Sequence, residues 1–181
     1  MNLNPIPKLL LAVALAAPAA YVQAGADAPT DAQIAAIVVT ANQVDIDAGK
    51  LAQQKGSSDD VKAFAQTMVR DHTGVNQAAA DLVHKLNVTP EPNATSASLK
   101  QGGDENLAKL RALNGKAFDK AYVDHEVAYH QAVLDAMDKT LIPDAKNAEL
   151  KALLVKVRPA FVAHLSHAKA LDEQLDGHGH E

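Results

Sequence analysis

The stretch Thr67–Val83, TMVRDHTGVNQAAADLV, decides how this chain is read. Met68, Val75, Ala79 and Leu82 fall on steps of three and four, the interval at which side chains share one face of an amphipathic helix. His72 lies inside that stripe, between Met68 and Val75. A helix that buries its seam calls for Leu or Val there. Whether the ring is an oddity or part of a pattern depends on the rest of the chain.

The helical reading extends in both directions. Ser57 or Ser58 caps this helix, Asp59 and Asp60 occupy its first turn, where the macrodipole favours acids, and it runs to about Asn87. Before it, Thr30 or Asp31 opens a helix that ends near Lys55, at Gly56. After it, Val88–Gly103, VTPEPNATSASLKQGG, is rich in Pro, Ser, Thr and Gly and reads as a long surface connection. A short helix over about Asp104–Leu113 follows, then a long one over about Lys116–Leu141, which Pro143 breaks. Asp144 opens a last helix to about Leu175, and Pro159 predicts a kink or break inside it. No Val/Ile/Thr alternation marks a strand, and no internal repeat is evident. The expected fold is all-α: a ferritin-like antiparallel four-helix bundle with a long crossover and a short extra helix.

Composition agrees with that class. The 181 residues are 48% hydrophobic but only 3% aromatic, which suits one domain of closely packed helices able to bury a core without staples. The absence of cysteine excludes disulfides, thiolate metal sites and thiol nucleophiles, and also a lipid-bearing cysteine at a cleavage point. At the start, MNLNPIPKLLLAVALAAPAAYVQA sets Lys8 before an apolar run, Leu9–Ala17, and closes on the small-x-small triplet Val22-Gln23-Ala24. That is the pattern of a secretory signal peptide cleaved after Ala24. The run is too short for a good membrane span, and no later segment approaches one. The expected organisation is a signal peptide (1–24), a leader (25–29), a bundle domain (30–176) and a flexible His-containing tail (177–181), periplasmic or otherwise exported and without a transmembrane anchor in the mature form. Loss of Lys8 takes the formal charge from −5 to about −6. No basic block interleaves with aromatic rings, so nucleic acid is not an expected partner. The sequence names no protein partner.

Each long helix has a seam. The first reads Ile34, Val38, Ala41, Asp45, Ala48, Ala52, and the second Val61, Ala65, Met68, His72, Val75, Ala79, Leu82, Leu86. The third reads Val123, Val127, His130, Leu134, Met137, Leu141, with a competing stripe through Phe118, Tyr122, His125 and Tyr129. The last reads Leu150, Leu154, Val157, Phe161, His164, Ala168, Leu171, Leu175. Every seam carries one polar interruption: Asp45, His72, His130 and His164. Burying an unpaired polar group costs about 1–3 kcal/mol, so four such groups weigh heavily against a stability of about 5–15 kcal/mol. The cost falls if the four satisfy one another, share water or bind a metal, and imidazole and carboxylate are common metal ligands.

Other residues carry weaker signals. His164 and His167 stand one turn apart and could chelate one ion, although a place on the bundle's shoulder suits His167 better. Glu126, four residues before His130, either orients that ring or forms a solvated flank. Asp71 points about 100° away from His72 along the helix surface, and pairs with Arg70 or a neighbouring helix. His84 lies off the seam, while His178 and His180 belong to the tail. No Ser-His-Asp spacing and no Gly-rich phosphate loop appears.

The segments VKAFAQTMVRDHTGVN (61–76), GKAFDKAYVDHEVAYHQAVL (115–134) and RPAFVAHLSHAKAL (158–171), with VDIDAGKLA (44–52), resemble the bacterial "domain of unknown function 4142" family. The likeness covers nearly all of the chain after the leader. It rests on Asp71, His72, Phe118, Asp119, Tyr122, His130, Pro159 and His164, with Asp45 at a first-helix position where the family more often has Glu. The resemblance implies an exported protein of the ferritin-like clan and no established activity.

Two-iron proteins of ferritin-like architecture use Glu on two helices and Glu-x-x-His on two others. One seam carboxylate and three imidazoles depart from that set and argue against an iron oxidase or store. A nitrogen-rich set suits one Zn²⁺ or Cu²⁺ ion better. The leading expectation is therefore a non-enzymatic exported bundle that binds a transition metal through Asp45, His72, His130 and His164, with a role in metal buffering or envelope stress tolerance. Two alternatives fit the same residues: a structural or interaction bundle with a metal-free polar layer, and a redox enzyme with a degenerate two-metal site.

Overall fold

In the computed structural model, residues 28–177 are described, and they are all-helical. The signal-peptide assignment, and His178 and His180 of the tail, lie outside the described residues. The elements are α1 (Asp31–Lys55), α2 (Asp59–Lys85), α3 (Ala94–Arg111), α4 (Gly115–Ala136), a π-helical turn (Met137–Leu141), α5 (Ile142–Asp144) and α6 (Ala148–Gly177). No helix among the described residues is long and apolar enough to cross a membrane.

Caps set most boundaries. Thr30 and Gln33 form a capping box at α1, and the Ser58 hydroxyl accepts from the backbone of Asp60 and Val61 at α2. The corner between them is pinned from α4. The buried carboxylate of Asp119 accepts from the backbone N–H groups of Ser57 and Ser58, at 2.9 Å each, and from the Ser57 hydroxyl. Asp31 ties the start of α1 to the turn before α6 by accepting from the backbone of Lys146 and Asn147.

Two helix starts differ from the sequence reading. Val88–Gly103 is not one surface loop, because α3 begins at Ala94, inside it. Asn93 supplies the start: its side chain accepts from Ser96 N–H, and the Ser96 hydroxyl accepts from Asn93 N–H. The Gly102-Gly103 pair that resembles a loop is mid-helix, and Gly103 is where α3 closes on α1. A Cβ there would stand 2.7 Å from a Val44 methyl. The last helix starts at Ala148 rather than Asp144, because the Asn147 side chain accepts from Glu149 and Leu150 N–H. It then runs unbroken to Gly177, with Pro159 on its exposed side. Pro143 acts through the turn before it. Its ring would clash with a carbonyl four residues back, and the helix there widens to a π-helical turn in which Ile142 N–H reaches Met137 C=O.

Two apolar clusters show how the helices run. The first gathers the start of α1 (Ile34, Ile37, Val38), the end of α2 (Ala79), the end of α4 and its π turn (Leu134, Met137, Leu141) and the first half of α6 (Leu150, Leu154, Phe161). The second gathers the end of α1 (Ala48, Ala52), the start of α2 (Val61, Phe64, Met68), the start of α4 (Phe118, Tyr122, Val123) and the later part of α6 (Ala168, Leu171). Thus α1 and α6 run one way and α2 and α4 the other. Helix α3 lies along α1 and carries the chain back, with Leu99 against the first cluster and Leu110 in the second.

Candidate metal centre

Between the two apolar clusters the helices carry a polar layer. Asp45 of α1, His72 of α2, Glu126 and His130 of α4, and His164 of α6 lie at that depth, each at most 5% exposed. Each helix reaches it midway along its seam, so the layer is where the four stripes lose their apolar character together. Phe161 lines one side, with its ring 5.0 Å from His72 and 6.0 Å from both His130 and His164.

The three imidazoles form a nearly equilateral triangle. Their ring centroids are 5.5 Å (72–130), 5.2 Å (72–164) and 5.4 Å (130–164) apart. Each ring is held through one nitrogen. His72 Nδ1 is 2.7 Å from Asn42 Oδ1, and the Asn42 amide is itself oriented by donating to Val38 C=O at 2.8 Å. His130 Nδ1 donates to Glu126 C=O at 3.0 Å, and His164 Nε2 meets Asp71 Oδ2 at 3.0 Å. An acceptor on one ring nitrogen of neutral imidazole leaves the other as a bare lone pair. Those other atoms, His72 Nε2, His130 Nε2 and His164 Nδ1, are buried and make no hydrogen bond.

One nitrogen from each ring lies within 4.8 Å of the other two. Three atoms so spaced lie within about 2.8 Å of a common point, and a Zn–N bond is about 2.0–2.1 Å. Contraction by well under 1 Å would close a three-nitrogen site. Asp45 Oδ2 stands 3.4 Å from His72 Nε2, close to the ligand–ligand spacing of a tetrahedral ion with bonds of about 2.1 Å. Asp45, Glu126 and His130 make a second three-atom group within the same 4.8 Å limit, so the two groups share His130.

Burial decides the charges in the metal-free layer. Desolvation, reinforced by the neighbouring His130 and His164, pushes His72 down to about 2. Desolvation and His164 push His130 down to about 4 against the pull of the Glu126 carbonyl. His164 is also lowered by desolvation, against the raising influence of Asp71. The acids move the other way: Asp45 rises to about 7 and Glu126 well above its ordinary range, both chiefly through burial. Asp45 and Tyr122 are polar neighbours of the Glu126 carboxyl, yet neither of its oxygens makes a well-formed hydrogen bond. The layer thus presents neutral rings with free lone pairs, a donor set that fits a borderline transition metal.

Glu126 is the residue that seam reading left undecided, and it is fully buried rather than solvated. Asn42 was not signalled at all. Asp71 serves both partners considered for it, with Arg70 Nε at 2.8 Å and His164 across the helix interface. His167 is exposed, its ring edge-on to Phe64, so it is not part of the triangle, and His84 is exposed as well. The competing stripe on α4 is also buried at Phe118 and Tyr122, because α4 packs on α6 and also touches α1 and α3.

Fold and site together define a class: an all-helical protein whose polar layer of histidines and carboxyls lies between two apolar cores. Within that class, the chain belongs to the family described as "Domain of unknown function (DUF4142)", whose profile matches residues 16–171. Among solved structures it is similar to CopM in the Cu(II)-bound form, with a TM-score of 0.62 at 15% identity, covering 81% of this chain and 98% of that one. At that identity the likeness is one of fold. No curated protein matches the chain significantly.

Proposed function

We propose that this protein is an exported, ferritin-like four-helix bundle that binds one transition-metal ion, Zn²⁺ or Cu²⁺, through His72, His130 and His164, with Asp45 beside them. The observation that carries this reading is the set of three buried nitrogens without partners, each left bare by an acceptor on the far side of its ring. A layer built only to fix helix register would pair such atoms with each other, since an unpaired buried acceptor costs stability without adding order. The similarity to CopM, solved with Cu(II), supports the reading at the level of fold. The leader-like start of the chain supports export.

The test is metal analysis of protein purified without an affinity tag, before and after incubation with Zn²⁺ or Cu²⁺. One ion per chain is expected, with a rise in thermal midpoint, since a ligand at 100 times its Kd adds about 2.7 kcal/mol. The double variant His72→Leu/His164→Leu is expected to lose the ion and stay folded. Stoichiometry far below one, with no thermal shift for either ion, overturns the reading.

A further inference from the structure

The seams supply the histidines and Asp45, and a second acid lies at the same depth. Glu126 is 0% exposed, and neither of its carboxyl oxygens makes a well-formed hydrogen bond, with Asp45 and Tyr122 as its polar neighbours. Asp45 Oδ1 is equally buried and equally without one. Among the described residues, the only charged-type partner within ion-pair distance of Asp45 is His72, and of Glu126 it is His130, each at 3.4 Å. Among the described residues, no lysine or arginine pairs with either acid. The three rings cannot serve as counter-ions to two carboxylates while their lone pairs stay free for a metal. Two buried acids therefore face a centre whose cation the described residues do not supply.

We propose that Glu126 and Asp45 together set the charge of the centre, with Glu126 as a further metal ligand, so that the site selects a divalent cation held by nitrogen and oxygen over a monovalent one. This rests on the metal-binding reading above and deepens it. Two carboxylates balance a charge of +2 and leave the buried centre neutral. A +1 ion would leave a net negative charge with no solvent to screen it. The spacing agrees: Asp45, Glu126 and His130 each bring an atom within 4.8 Å of the other two, as the three rings do around His130. The two sets share His130, whose Nδ1 stands 3.4 Å from Glu126 Oε2. Carboxylate oxygens are hard donors, which favour divalent ions and offer little to Cu⁺ or Ag⁺.

The experiment compares the wild type with Glu126→Gln, which keeps the shape and removes the charge, and with Asp45→Asn as a second variant should the first fold poorly. Each is titrated with Zn²⁺, Cu²⁺ and Ag⁺, and the Cu²⁺ forms are examined by electron paramagnetic resonance. Glu126→Gln is expected to weaken Zn²⁺ and Cu²⁺ binding by about 10- to 100-fold, leave Ag⁺ binding unchanged or tighter, and shift the Cu²⁺ spectrum toward a more nitrogen-dominated set. Unaltered Cu²⁺ affinity and an unaltered spectrum in both variants would make the carboxyls bystanders while the histidine site stands. A wild type that binds none of the three ions would instead overturn the metal-binding reading, and this inference with it.

Discussion

Asn42 shows how much of this centre is decided by residues that have no ligand chemistry of their own. Its oxygen takes the Nδ1 side of His72, and its amide is fixed in turn by Val38 C=O, so the tautomer and orientation of a fully buried ring are set from α1. Asn42→Leu removes that acceptor and leaves a buried ring N–H unpaired. The expected loss is about 1–3 kcal/mol by urea denaturation of the metal-free protein, with metal affinity lower by about 10- to 100-fold. Asn42→Asp, which keeps an acceptor in place, is expected to recover much of the metal affinity, whereas a purely steric role for Asn42 would leave both variants alike in metal titrations. Sequence pattern reveals only part of such a site. Asp45, His72, His130 and His164 stand out because each interrupts an apolar stripe. Glu126 does not, since it lies four residues from Tyr122 of one α4 stripe and four from His130 of the other, and its burial depends on neighbours on both sides of α4. Asn42 is a common polar residue beside a seam, and nothing local separates it from a solvated one.

Among the helices, the glycine pair of α3 gives a test with two signs. Gly103 is buried against Val44, and a Cβ would meet two of its side-chain atoms at 2.7 and 3.1 Å. At Gly102, one residue earlier, a Cβ would meet nothing within 4 Å. Gly103→Ala is therefore expected to destabilise by about 1–3 kcal/mol through overpacking, and Gly102→Ala to stabilise by up to about 1 kcal/mol through helix propensity. Adding Val44→Ala to Gly103→Ala should return part of the loss. Shifts of the same sign and size for both alanines in chemical denaturation would show that α3 does not close on α1 at Gly103. The same pair gives the crossover the sequence pattern of a loop. Glycine, serine and proline signal turns in a single sequence, but a helix packed tightly on another needs a small residue at the contact, and only the partner's position distinguishes the two uses. The four long helices were legible because each carries a sustained stripe of period near 3.6. The starts of α3 after Asn93 and of α6 after Asn147 were not, because capping depends on which of several nearby polar side chains turns back onto the backbone. Pro143 and Pro159 mark the same limit. One follows a wider turn and the other lies within a continuous helix, and proline alone does not say which.

Over the whole molecule, the buried layer ties stability to pH in the metal-free state, in a direction opposite to the usual carboxylate case above neutrality. His72 and His130 are depressed to about 2 and about 4, so between those values and the unfolded value near 6.5 the unfolded chain binds protons that the folded one refuses. Their contribution is complete above about 6.5 and is lost as pH falls, and His125, depressed to about 4 by burial and by Lys109, adds to the same limb. Asp45 is raised to about 7 and Glu126 well above its ordinary range, so above about 4 the folded protein holds protons that the unfolded chain gives up. Their contribution is complete at low pH and is lost as pH rises through 7. From about 4.5 to 6.5 the two effects oppose each other, and above 6.5 only the acids still change. Chelator-stripped protein is therefore expected to be most stable near about pH 5–6.5 and to weaken from there toward pH 8, as read by urea denaturation followed by circular dichroism. A bound divalent ion replaces the protons on the acids and should abolish the alkaline decline. Asp45→Asn/Glu126→Gln should abolish it without metal, while keeping the loss of stability in acid. If stripped wild-type protein instead gains stability steadily from pH 6.5 to 8, then the two acids are solvated or paired in the folded state, and the charge-neutral centre argued from their burial does not exist.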